Sequence, residues 1–102
     1  MDCRYEKGRD PAVTGFFGEE AMKAFTDWNG KVTAPGELDR KTKELFAVAC
    51  VYMTRCPYRI EGHAKAAVKA GTSKEELAEV IQIAMALAAS EGISHRKFAI
   101  NV

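Results

Sequence analysis

Residues 44–71, ELFAVACVYMTRCPYRIEGHAKAAVKAG, bring together an apolar run, a helix start and the most reactive side chains of the chain. From Leu45 to Met53 nine apolar residues follow one another without a charge. That is too short for a membrane span and suits a helix enclosed on most sides. The run ends at Thr54-Arg55-Cys56-Pro57. Proline fits the first position of a helix, where its missing N–H has no intrahelical partner to lose, so Pro57 predicts a new helix with Cys56 as its cap. The unpaired N–H groups and the macrodipole at such an end carry partial positive charge, which favours thiolate over thiol. Arg59, Ile60 and His63 follow Cys56 at spacings of three, four and seven, so Cys56, Arg59 and His63 share one helical stripe.

Working outward, Glu44 stands where the charged first turns of the preceding helix give way to the apolar run. It admits two readings: a surface carboxylate paired with Arg40 four residues back, or an acid facing a small cleft beside the Cys56 stripe. That preceding helix is expected to begin near Glu37 to Asp39 and to run to Thr54. Cys50 falls inside the apolar run and is expected in the core. The helix after the break is expected over Pro57 to Ala70, stopped by Gly71 in the manner of a left-handed cap. Ser73 and Glu76 then form a capping box, and Leu77, Val80, Ile81, Ala84, Leu87 and Ala88 give an apolar face to about Ser90. Gly92 is expected to break this helix and Ser94 to cap a short terminal one carrying Phe98 and Ile100, with His95 toward solvent. Upstream, Asp10-Pro11 predicts another helix start, and Val13, Phe16, Phe17, Ala21, Ala24, Phe25 and Trp28 recur at the helical period until Asn29-Gly30. A turn-rich loop leads from there through Pro35-Gly36.

The pattern in the central stretch is Glu44, eleven residues, Cys56-Pro57-Tyr58, then His63, a KAAVKAG segment and a second acidic helix. It resembles the signature of the alkylhydroperoxidase AhpD-like and carboxymuconolactone decarboxylase-like family, over about Leu38 to about Ala89. The peroxidase branch carries Glu, Cys-x-x-Cys, x-x-x-His, and Glu44, Cys56 and His63 match it residue by residue. The departure is Arg59, which stands where that branch has its second cysteine. The resemblance implies an all-α, AhpD-like bundle of about five to six helices, one domain over residues 1–102, assembled as a homotrimer or homohexamer. It also implies a thiol-dependent, peroxiredoxin-type antioxidant oxidoreductase. Cys56 would be the nucleophile, His63 and Glu44 the proton relay, and Arg59 and Tyr58 the substrate-binding side chains. A small-molecule peroxide and an external thiol or thioredoxin-like reductant would be its partners, with no cofactor.

Two alternatives stay open. In a carboxymuconolactone decarboxylase-type lyase, Arg59 would bind a substrate carboxylate in forked geometry and His63 would move a proton. In a non-catalytic oligomeric binding protein on the same fold, Arg59 and Glu44 would form a buried ion pair. Without a second cysteine at 59, a sulfenic acid at Cys56 needs Cys50, Cys3 of another subunit or an external thiol to complete a cycle.

Composition narrows the field. The chain has 102 residues, 47% of them hydrophobic, which suits one core small enough to gain from burying a face against copies of itself. Fifteen basic and 14 acidic residues are mixed throughout, with formal charge +1, so neither a nucleic acid nor a membrane surface is indicated as a partner. No apolar signal region or stretch of about 20 apolar residues is apparent, and the expected location is the cytoplasm. Three cysteines form no disulfide framework. Two histidines are a poor inventory for a metal, and no metal site is expected.

Overall fold

The structure, a computed structural model, describes residue 16 and residues 18–102. Within them lie four helices and no strand: α1 over Glu19–Thr33, α2 over Arg40–Thr54, α3 over Pro57–Lys69 and α4 over Lys74–Ile100. The all-helical expectation holds, with four helices among the described residues where five to six were expected. Calls on Cys3, Pro11, Val13 and Phe17 fall outside the described residues.

α2 is the hub, packing against α3 and α4, with α1 touching it more lightly. Its inner stripe is Glu44, Val48 and Val51, at spacings of four and three, and these are its buried residues. Ala67 of α3 and Ala84 of α4, on the two helices that pack on α2, are buried as well. Val48 is 1% exposed and Ala67 0%. Enclosing Val48 stabilises the packing by about 1.5–3 kcal/mol, and alanine at 67 and 84 lets the helices come close. The expected core was broader. Phe46 and Met53 lie within the apolar run yet are exposed, as are Phe16, Phe25 and Leu87, and Cys50 faces outward rather than into the core. Among the described residues α3 and α4 bury one stripe of α2 fully, the positions beside it are partly covered, and Phe46, Cys50 and Met53 stay exposed.

The helix starts follow local chemistry. Asp39 caps α2 by accepting the Thr42 N–H at 2.8 Å, Cys56 and Pro57 open α3, and Ser73 with Glu76 closes a reciprocal capping box on α4. Gly71 follows α3 at φ 102°, a left-handed conformation that glycine adopts without strain. Two expected ends are corrected. α1 runs through Asn29-Gly30 to Thr33, because the last turn is tied off from elsewhere: Lys43 donates to the Val32 and Ala34 carbonyls at 2.8 and 2.6 Å, and the Thr33 hydroxyl donates to the Asn29 carbonyl. α4 continues through Gly92 and Ser94, so no separate terminal helix forms. A single glycine costs about 1 kcal/mol in a helix interior, too little to stop one whose neighbours on both sides are good helix formers.

α4 is 27 residues long and contains an 18-residue window of mean hydropathy 1.3, so by length and composition it could cross a membrane. The sequence had not suggested such a stretch, because its apolar residues are interspersed with polar ones. In the fold the first half of α4 packs on α2 through Ala84, and Glu79 and Glu91 fall along its length.

Candidate functional site

The site is assembled where α2 and α3 run side by side. Glu44 lies one turn into α2, and the packing of α3 through Ala67 encloses it, leaving it 8% exposed. A carboxylate in such a place needs a partner, and His63 supplies it: Nδ1 lies 3.3 Å from Glu44 Oε2. A carboxylate here favours the imidazole tautomer with hydrogen on Nδ1, which then donates to Oε2 and leaves Nε2 as the acceptor on the other side of the ring. The His63 side chain is about one-third exposed. Glu44 is thus a buried carboxylate paired with His63 rather than a surface one. No ion pair joins it to Arg40.

Cys56 is the N-cap of α3, with φ −93° and ψ 110°, and its side chain makes no capping hydrogen bond. It is partly buried. The thiol therefore sits at the positive end of a 13-residue helix, as expected, with its sulfur uncommitted to the backbone. Arg59, one turn on, is exposed, and Tyr58 is half-buried. The buried Arg59–Glu44 ion pair of the non-catalytic alternative is not formed, since Glu44 pairs with His63 and Arg59 faces outward.

Of the four side chains singled out in the sequence, the structure brings Glu44 and His63 into contact. The cleft that takes in Glu44, about 370 Å3, is lined by Arg40, Glu44, Ala66, Lys69 and Ala70. Helical geometry explains the separation. His63 follows position 59 by one turn but follows Cys56 by two, a rise of about 10 Å. The Glu44–His63 pair therefore stands nearest to residue 59. No group of three or more His, Cys, Asp or Glu side chains suited to a metal occurs among the described residues.

Sequence reasoning passed over Arg55. It is the C-cap of α2 with φ 61° and ψ 31°, the sole non-glycine residue with positive φ among those described, and it immediately precedes Cys56. The signal was available in the spacing: a connection of two residues between helices forces one of them out of ordinary backbone space.

Comparison with known proteins places these features in context. The profile of the Carboxymuconolactone decarboxylase family matches residues 19–99. The chain is 39% identical over 85 residues to the uncharacterized protein 4 in the cox locus of Paracoccus denitrificans, covering 83% of this chain and 77% of that one. A crystal structure of a protein from Methanobacterium thermoautotrophicum superposes with TM-score 0.76 at 28% identity, covering 81% of this chain and 95% of the other. A Thermotoga maritima protein superposes with TM-score 0.67 at 34% identity over 82% of this chain and 87% of its own. That protein is described as a carboxymuconolactone decarboxylase family member for which involvement in an antioxidative response has been suggested.

Proposed function

Because this chain belongs to the carboxymuconolactone decarboxylase family, we propose that it is a thiol-dependent, peroxidase-like oxidoreductase with Cys56 as nucleophile and Glu44 and His63 as its proton relay. The observation that carries this reading is the contact between a buried Glu44 and His63 at 3.3 Å, on the helix that begins at Cys56. The Thermotoga relative's suggested link to an antioxidative response points the same way.

In the reaction the Cys56 thiolate attacks one oxygen of a hydroperoxide and the O–O bond breaks heterolytically. Sulfur is oxidised to sulfenic acid and the other oxygen leaves as an alcohol after taking a proton. His63 supplies that proton through the substrate or an intervening water, since two helical turns separate it from Cys56, and Glu44 stabilises the imidazolium. Arg59 and Tyr58 face the substrate from the first turn of α3. An external thiol or a thioredoxin-like reductant then displaces water from the sulfenic acid to give a mixed disulfide, and a second thiol releases Cys56. The balance is one hydroperoxide and two thiols giving one alcohol, one water and one disulfide. The protein performing it would be a cytoplasmic homotrimer or homohexamer, consistent with its near-neutral charge and the apolar surface of the single chain.

The test is to react the reduced protein with cumene hydroperoxide in the presence of dimedone and locate the adduct by mass spectrometry. Label at Cys56 is expected, absent in Cys56→Ser, and His63→Gln is expected to slow peroxide loss by about 10²-fold. Unchanged peroxide consumption by Cys56→Ser would sink the proposal.

One observation favours a second reading, a decarboxylase-type lyase. Position 59, the residue nearest to His63 along the stripe, carries a guanidinium, which is suited to a substrate carboxylate. Proton transfer at His63 with release of carbon dioxide from a carboxylated lactone, independent of Cys56, would establish it.

A further inference from the structure

A cavity of about 490 Å3 opens at the junction of α2 and α3, within the size range of small-molecule sites. Its walls come from Tyr52 and Met53 at the end of α2, Ile60 in α3, and Ala84, Met85 and Ala88 in α4, with Arg55 contributing from the connection. No acidic side chain lines it, and the Arg55 guanidinium forms no ion pair among the described residues. An apolar chamber with one uncompensated cation and one phenol is complementary to a molecule with an apolar body and a single anionic head.

Two further facts tie this cavity to Cys56. Arg55 is its immediate neighbour in the chain, and the Ile60 N–H donates to the Cys56 carbonyl at 3.0 Å, so the cavity begins within one turn of the thiol. Arg55 also holds a left-handed conformation that is unfavourable for a residue other than glycine. Glycine would make the same turn without that cost but would place no guanidinium there.

We propose that this cavity binds an amphiphilic carboxylic acid, its carboxylate on Arg55 and its alkyl body against Met53, Ile60 and Ala88, and that Cys56 thereby prefers hydroperoxides of acidic organic molecules over neutral ones. The binding half stands by itself, whereas the preference at Cys56 rests on the peroxidase reading.

The experiment titrates the full chain calorimetrically with octanoate and with octan-1-ol. Octanoate is expected to bind about tenfold or more tighter, the contribution of one charge-assisted hydrogen bond. Arg55→Asn, which keeps a residue tolerant of the left-handed backbone, should abolish that preference and leave the alcohol unchanged. Ala88→Phe should weaken both ligands. Equal affinity for acid and alcohol, no binding of either, or an Ala88→Phe protein that changes its assembly state while binding octanoate normally would each overturn the proposal, the last because a second copy then occupies the cavity. If octanoate binds with the expected dependence on Arg55 but no peroxide reacts at Cys56, the cavity stands and the peroxidase reading falls.

Discussion

At residue 59 the chain departs from the pattern it otherwise keeps, carrying an exposed arginine. His63 lies one helical turn beyond it, with Glu44 behind the imidazole. A thiol introduced by Arg59→Cys would stand one turn from His63 and one turn from Cys56, within reach of a disulfide with the latter after modest side-chain rotation. If the site is built for peroxide chemistry, Arg59→Cys should raise thiol-dependent peroxidase turnover by about 10²-fold, the usual contribution of a positioned base. A variant that forms the disulfide and gains no turnover would promote the lyase reading. A second residue-scale case is Thr72, which is buried, with its hydroxyl the one buried side-chain polar atom without a hydrogen-bond partner among the described residues. It precedes the Ser73 cap, the place where an apolar side chain staples onto the fourth residue of the helix, here Leu77. Thr72→Val removes an unsatisfied group at constant volume and should stabilise the fold by about 1 kcal/mol in urea unfolding. A destabilised variant would mean that the hydroxyl has a partner in the assembled protein.

At the scale of the elements, what the sequence disclosed was whatever is decided within a few residues. The starts of α2, α3 and α4 were legible because Asp39, Cys56-Pro57 and Ser73 with Glu76 are cap chemistry, set by side chains next to the backbone groups they serve. The ends at Asn29-Gly30 and Gly92 were misjudged because propensity is a weak term. Lys43, thirteen residues after Gly30, holds the last turn of α1 by reaching its terminal carbonyls, and nothing near Gly30 announces that. The Glu44–His63 pair was legible for a different reason, since resemblance supplied the two residues and only the packing of α3 on α2 shows that they touch. The caps also contribute to the response to acid. Hydrogen bonds from the Thr42 side chain and backbone hold the Asp39 carboxyl below its ordinary range, and Lys41, followed by the Ser73 N–H, does the same for Glu76. A carboxyl lowered in the folded state adds stability that is fully present above its unfolded pKa and is lost as pH falls through its folded pKa. Helicity of α2 and α4 should therefore weaken as pH falls below the ordinary carboxyl range, and an Asp39→Asn, Glu76→Gln protein should show a flatter stability profile through that acid range in circular dichroism. Parallel profiles for the two proteins would remove the caps from the account of acid sensitivity.

For the whole molecule, Phe25 and Leu87, on apolar helix faces, and Cys50, expected in the core, are left exposed among the described residues. Trp28 is 62% exposed and Phe98 69%, and Phe46, Ile83, Met85 and Ile93 join them at the surface. The radius of gyration is 17.1 Å, against about 13 Å for a compact domain of this length, because α4 runs on after its last buried residue, Ala84, by sixteen positions. Periodicity correctly marked these faces as apolar, but it cannot say whether the cover comes from the same chain or another, which is why the fold was legible and the extent of its core was not. Apolar surface of this extent costs roughly 25 cal/mol for each Å2 left in water, and a second copy of the chain carries the same faces in the same order. The expected outcome is a homotrimer or homohexamer at micromolar concentration by light scattering coupled to gel filtration. Replacing Phe98 and Ile93, both exposed on the distal part of α4 and outside the Cys56 region, with Lys should shift the assembly toward monomer. The α2–α3 packing around Glu44 should persist in those variants, and the exposed apolar surface should bind more of a hydrophobic dye than the parent does. A parent protein that elutes and scatters as a monomer, or a lysine variant that keeps its assembly unchanged, would mean that the distal part of α4 is not the surface through which copies meet.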